Sequence, residues 1–116
     1  MNKIAIVSAK RTPIGRFKGK LSHYSAVELG TKTLEAAIKA INLDSQNIEQ
    51  VIYGNVLQAG NGQNPARQIA INAGVPNTTP AMTINEVCGS GLKSIILGKQ
   101  LIQLGEAKVV AVGGVE

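Results

Sequence analysis

The chain alternates short, continuous apolar runs with longer stretches in which apolar residues recur every three or four positions. Lys3 to Ser8, "KIAIVS", is an apolar β-type run and predicts a buried strand. The segment "AKRTPIGRFKGKLSHY" then reads as a loop punctuated by Pro13, Gly15 and Gly19. Ser25 opens a helix, because Glu28 stands three residues on, the spacing of a capping box. Ala26, Leu29, Thr33, Ala37, Ala40 and Ile41 recur at helical spacing, while Lys32, Glu35 and Lys39 fall on other faces.

"DSQNIEQ" is a polar connection with room for one helical turn, and Val51 to Val56, "VIYGNV", predicts a second strand. The loop "LQAGNGQNPARQ" leads to Asn64-Pro65, an N-cap followed by a proline at the first helical position, where its missing N–H costs nothing. That helix runs to about Ala73, and Gly74 closes it. Ala81 to Asn85 is a third strand. A third helix begins near Cys88, with Leu92, Ile95, Ile96 and Leu101 as its buried face and Gly105 as its end. Val109 to Val112 is a fourth strand. The order β-α-β-α-β-α-β, with uninterrupted apolar strands, implies an α/β fold: a mainly parallel sheet covered on both faces and joined by right-handed crossovers.

Composition narrows this picture. A chain of 116 residues suits one domain, and 44% hydrophobic residues exclude a disordered one. Aromatic residues make up only 3% and tryptophan is absent, so Val, Ile, Leu and Ala build the core. The net charge is +5, and Lys3, Lys10, Arg11, Arg16, Lys18 and Lys20 crowd into the first twenty positions. Such a patch attracts anions or is simply a solvated surface, and without interleaved aromatics it gives no support to base stacking. The apolar run Ile4 to Val7 is too short for a secretory signal, and no run approaches a membrane span. With a single cysteine, no disulfide closes within the chain. These features point to a cytoplasmic protein.

That cysteine, Cys88, lies in "TINEVCGSGLKS", after the third strand and at the mouth of the third helix. Sites in open α/β sheets gather at the carboxyl ends of strands. A helix N-terminus offers unpaired N–H groups and partial positive charge, which favour a thiolate and a developing oxyanion. Gly89 and Gly91 leave room for a carbonyl to approach. On these grounds Cys88 is either a nucleophile that accepts an acyl group or a small buried hydrophobe. A dinucleotide loop fits less well, since Ser94 stands where G-x-G-x-x-G needs its third glycine. "GNGQNPAR" lacks the Gly-Lys-Ser/Thr of a P-loop.

"INEVCGSGLKSI" closely resembles the acyl-enzyme cysteine signature of the thiolases. "RTPIGRFKG", "GNVLQAGNGQNPARQIAINAGVP" and "VVAVGGVE" resemble thiolase segments in the family's order, so the likeness covers essentially the whole chain. The pattern is closest to the acetoacetyl-CoA thiolases, also called acetyl-CoA acetyltransferases. The resemblance implies a thiolase-like three-layer α/β/α half-domain, with residues 1–116 forming the N-terminal part of the thiolase N-terminal domain. It also implies a reversible Claisen condensation of two acetyl-CoA to acetoacetyl-CoA through an acetyl-cysteine. Cys88 is then the acyl-thioester nucleophile, and its own backbone N–H is part of an oxyanion hole. Acetyl-CoA and acyl-CoA are substrates; no cofactor, metal, nucleic acid or membrane is implied. Competing expectations are a degradative 3-ketoacyl-CoA thiolase with longer substrates and a non-catalytic half-domain acting as an interaction module.

The family's catalytic histidine, second cysteine and CoA-binding loop domain have no counterpart here, and His23 matches none of their motifs. The chain alone is therefore expected to be catalytically incomplete. The family's five-stranded mixed sheet, against four strands predicted here, leads us to expect an exposed edge and association. In the family, the segment "AMTIN" lies at a dimer interface and the intact proteins are homo-oligomers. Arg67 and Gln68, in the well-matched loop, are expected to be structural.

Overall fold

A computed structural model describes residues 3–116. The elements in chain order are α1 (Ala26–Ala40), a 3-10 turn (Ser45–Asn47), β1 (Gln50–Gly54), α2 (Pro65–Asn72), β2 (Ala81–Ile84), α3 (Ser90–Gln103) and β3 (Val110–Gly114). The three strands form one parallel sheet in the order β2-β1-β3. Val51 pairs with Ala81 on one side and Ala111 on the other, so the central strand is hydrogen-bonded along both edges.

Local chemistry explains the helix starts. Ser25 accepts from the Glu28 N–H at 3.1 Å, and the Glu28 carboxylate accepts from the Ser25 N–H at 2.7 Å, which completes the capping box. The bond from the Ser25 N–H, and after it one from the Ser25 side chain, hold the Glu28 carboxyl below its ordinary range. Asn64 caps α2 through its side chain, Pro65 occupies the first turn, and Gly74 ends the helix in the left-handed region at φ +84°. Asp44 caps the 3-10 turn by accepting from Gln46 N–H.

Alternation along β1 sends its residues to two faces. Val51 and Tyr53 join Val27 and Leu34 of α1, Ala66, Ile69 and Ala70 of α2, Ile48 and Val75 in one core. Burial pushes the Tyr53 phenol above its usual range, partly opposed by a hydrogen bond from Thr33. On the opposite face α3 packs with a small-residue stripe, Ser90, Ser94 and Gly98. A Cβ at Gly98 would lie 2.8 Å from Val112 Cγ1, and one at Gly54 only 2.5 Å from Ser90 Cβ. The helix axis therefore sits unusually close to the strands, and only small residues fit at the contact.

Two expectations are corrected. Among the described residues the leading strand of the β-α-β-α-β-α-β order is absent: Lys3 to Ser8 has no regular secondary structure and pairs with none of the three strands. Ile6 and Val7 are 75% and 68% exposed, and among the described residues the only hydrogen bond from this run is Ser8 Oγ to Ala37 O at 2.8 Å. The run and β3 both line a trough of about 1670 Å³, and the run forms no ladder with that strand. Apolar content marked the run, but pairing depends on the distant edge. The second correction concerns α3. Leu92, Ile95 and Ile96 are exposed rather than buried, because the close approach of Ser94 and Gly98 to the sheet turns the large aliphatic side chains away from it.

Candidate functional site

Cys88 is exposed and lies two residues before α3, at the carboxyl end of the sheet. It borders a cleft of about 540 Å³ with Gly54, Leu57, Val87, Gly114 and Glu116. Within this chain the thiol is not a buried core residue. Three close contacts bring α3 to the rim: Gly54 against Ser90, Gly114 against Gly91, and Gly98 against Val112. A Cβ on Gly114 would lie 3.1 Å from Gly91 Cα. Gly114 thus permits the helix to start where it does, while its neighbour Gly113 makes room for the Tyr53 ring, a Cβ there lying 2.6 Å from Tyr53 Cε1.

The turn carrying the thiol is tightly bonded. Val87 N–H donates to Asn85 Oδ1 at 2.9 Å, Gly89 N–H to Glu86 O at 3.1 Å and Ser90 N–H to Val87 O at 3.1 Å. The Ser90 hydroxyl accepts from Glu86 N–H at 2.7 Å and donates to Val87 O at 2.7 Å. Val87 itself is left-handed, at φ +50°. Between these bonds the Cys88 N–H donates to no acceptor among the described residues, as do those of Gly91 and Leu92 in the first turn of α3. The arrangement therefore sets a thiol beside several unspent N–H donors at the positive end of a helix of 14 residues. It can present a nucleophile and stabilise negative charge on an adjacent oxygen.

The far wall of the cleft is held by Glu116, whose carboxylate accepts from Leu57 N–H at 2.7 Å and Val56 N–H at 3.2 Å. Buried Asn55 donates to Val115 O at 3.1 Å and accepts from Asn61 Nδ2 at 3.3 Å, which ties the loop after β1 to the end of β3. Sequence reasoning assigned no role to Asn55, Ser90 or Glu116; their partners lie up to 60 positions away, and the one legible signal was their place inside well-matched segments.

Other residues fall where expected. Arg67 donates to Thr79 O at 3.0 Å and Asn77 O at 2.9 Å, and Gln68 to Asn61 O at 2.7 Å and Gln63 O at 2.9 Å. Both are spent on loop backbone. His23 is exposed, stacks on Tyr24 with ring centroids 4.2 Å apart, and does not border the Cys88 cleft.

Comparison with known proteins places this geometry. Over residues 4–116 the chain matches the family model described as "Thiolase, N-terminal domain". It is 51% identical over 116 residues to an acetyl-CoA acetyltransferase of Escherichia coli (strain K12), covering 100% of this chain and 29% of that protein. It is 50% identical over 116 residues to a probable acetyl-CoA acyltransferase of Staphylococcus aureus (strain NCTC 8325 / PS 47), covering all of this chain and 30% of that one. A thiolase from Ascaris suum, solved in complex with coenzyme A, superposes with a TM-score of 0.91 at 48% identity, over 92% of this chain and 28% of that one. The chain thus spans about 30% of the length of the curated relatives it matches. On the match to its N-terminal domain, supported by the shared parallel α/β architecture, the chain belongs to the thiolase family.

Proposed function

We propose that this chain carries the acyl-accepting cysteine of an acetyl-CoA acetyltransferase. The carrying observation is that Cys88 is exposed at the rim of a cleft, with its own N–H unspent. In this reading the Cys88 thiolate attacks the thioester carbonyl of acetyl-CoA. The carbonyl oxygen gains the negative charge next to the Cys88 N–H, the bond to the CoA sulfur breaks, and CoA leaves as a thiol after taking up a proton. A second acetyl-CoA, as its α-carbanion, then attacks the acetyl-cysteine and releases acetoacetyl-CoA and the Cys88 thiolate. Thiolytic cleavage of a 3-ketoacyl-CoA is the same sequence reversed.

Among the described residues no histidine borders the cleft, and the carboxylate there, Glu116, accepts from Val56 and Leu57 N–H, so in this reading the base for proton transfer at the sulfur comes from elsewhere. The 116 residues by themselves give no thiolase turnover. The test mixes the purified chain with a polypeptide matching the remainder of the Escherichia coli relative. The expected result is restored acetoacetyl-CoA thiolysis and an acetyl mass on Cys88 with acetyl-CoA, both lost in Cys88→Ser. An acetyl group that persists in Cys88→Ser refutes the reading. Activity that returns with Cys88→Ser present leaves only the non-catalytic half-domain.

A second reading rests on the Staphylococcus aureus relative, whose name specifies an acyl rather than an acetyl group. Longer 3-ketoacyl-CoA substrates cleaved faster than acetoacetyl-CoA by the same mixture would favour it. CoA thioesters are substrates in either case rather than cofactors, and we further propose a cytoplasmic homo-oligomer that binds neither nucleic acid nor membrane. Among the described residues no helix is long and apolar enough to cross a membrane. A salt-sensitive gel shift with nucleic acid would contradict the view of the N-terminal basic residues as a solvated surface.

A further inference from the structure

Val87 is a β-branched residue in the left-handed region, at φ +50°. Such a residue is a genuine outlier, and it persists only when its surroundings hold it. Its side chain is 64% exposed, so packing is not what holds it. The hydrogen bonds do. Asn85 Oδ1 takes the Val87 N–H at 2.9 Å, and the Ser90 hydroxyl takes the Val87 carbonyl at 2.7 Å while accepting from Glu86 N–H at 2.7 Å. Both peptide groups of Val87 are thereby tied by side chains, and the carbonyl also accepts from Ser90 N–H at 3.1 Å. Ser90 is itself fixed, 4% exposed and seated against Gly54. The next residue is Cys88, whose unspent N–H and thiol border the cleft.

We propose that Asn85 and Ser90 are positioning residues, which pin Val87 left-handed and so aim the Cys88 thiol and N–H together at one incoming carbonyl. This rests on the acyl-carrier reading above for its chemistry, but not for its geometry. Without the two bonds Val87 relaxes to negative φ, the peptide before Cys88 rotates, and sulfur and N–H no longer converge. A reaction that needs both groups then slows, and one that needs only the sulfur does not.

Two probes make that distinction on this chain, where Cys88 is the only thiol. With p-nitrophenyl acetate the thiolate attacks the ester carbonyl, the oxyanion needs the N–H, and p-nitrophenolate leaves. Iodoacetamide is displaced at carbon and forms no oxyanion. Ser90→Ala and Asn85→Ala are expected to lower the ratio of acetylation to alkylation rates by about tenfold each, the loss of roughly one hydrogen bond's worth of orientation. Asn85→Asp keeps the acceptor and holds the ratio within about twofold. Adding Val87→Gly to Ser90→Ala restores it, because glycine takes positive φ without strain. In parallel, NMR backbone couplings report the sign of φ at residue 87, with far-ultraviolet circular dichroism confirming the fold. A natively folded Ser90→Ala chain with an unchanged ratio, or a Val87 that stays left-handed in the Asn85→Ala/Ser90→Ala pair, overturns the proposal. Because φ is read on Val87 itself, the pinning is decided even where the parent chain takes no acetyl group, while the acyl-carrier reading is decided separately by acetylation of Cys88 in the reconstituted mixture.

Discussion

Gly54 is the point at which a single methyl group tests how the site is built. It ends the central strand, and a Cβ placed there would lie 2.5 Å from Ser90 Cβ, 2.7 Å from Ser90 C and 2.9 Å from Ser90 O. Two of these are backbone atoms at the start of α3, so no rotamer change relieves the overlap. Ordinary contact begins near 3.4 Å, so the start of α3 must retreat by close to 1 Å. Overpacking of this kind costs about 1–3 kcal/mol. At roughly 4 °C per kcal/mol for a chain of this size, Gly54→Ala is expected to lower Tm by roughly 4–12 °C. The same displacement strains the Ser90 bonds to Glu86 N–H and Val87 O, so the acetylation-to-alkylation ratio at Cys88 should fall along with Tm. The assay is thermal unfolding by circular dichroism, paired with Cys88 modification below the transition. A Gly54→Ala chain that melts within 1 °C of the parent, with Cys88 unaltered, would refute the claim that the Gly54–Ser90 contact sets the helix position.

Two glycines of α3 should respond oppositely to alanine. Gly91→Ala meets nothing closer than 3.9 Å and is expected to be neutral or stabilising by up to about 1 kcal/mol, whereas Gly98→Ala drives a methyl to 2.8 Å from Val112 Cγ1 and should destabilise despite the better helix former; urea unfolding compares them. Tyr53→Phe should remove an alkaline component of stability. Because burial raises the Tyr53 pKa, its contribution is complete below the unfolded value near 10.0 and is lost as pH rises through the folded value; stability of the parent, but not of the variant, should carry that fall in denaturant titrations between neutral and strongly alkaline pH. The unpaired outer edge of β3 and the exposed aliphatic residues Leu92, Ile95 and Ile96 should make the isolated chain self-associate, and a monodisperse monomer in sedimentation velocity would contradict this.

Short-range chemistry was written in the sequence. Ser25 with Glu28, Asn64 with Pro65, and Gly74 located two helices, because a cap and its partner lie within a few residues and act whatever the rest of the chain does. The place of Cys88, after a strand and before a helix, followed from the same periodicity, and the resemblance carried by "INEVCGSGLKSI" held for the family. Tertiary structure decided what depends on distant neighbours. Lys3 to Ser8 has the composition of a strand, yet a strand exists only by pairing, and no paired edge adjoins it. Leu92 and Ile95 have the spacing of a buried face, yet the sheet admits only the Ser90, Ser94 and Gly98 stripe, since Gly54 and Val112 approach too closely for anything larger. The left-handed Val87 was equally invisible: a valine does not choose that conformation alone, and the Ser90 hydroxyl that bonds to its carbonyl is seated on Gly54, 36 positions earlier in the chain.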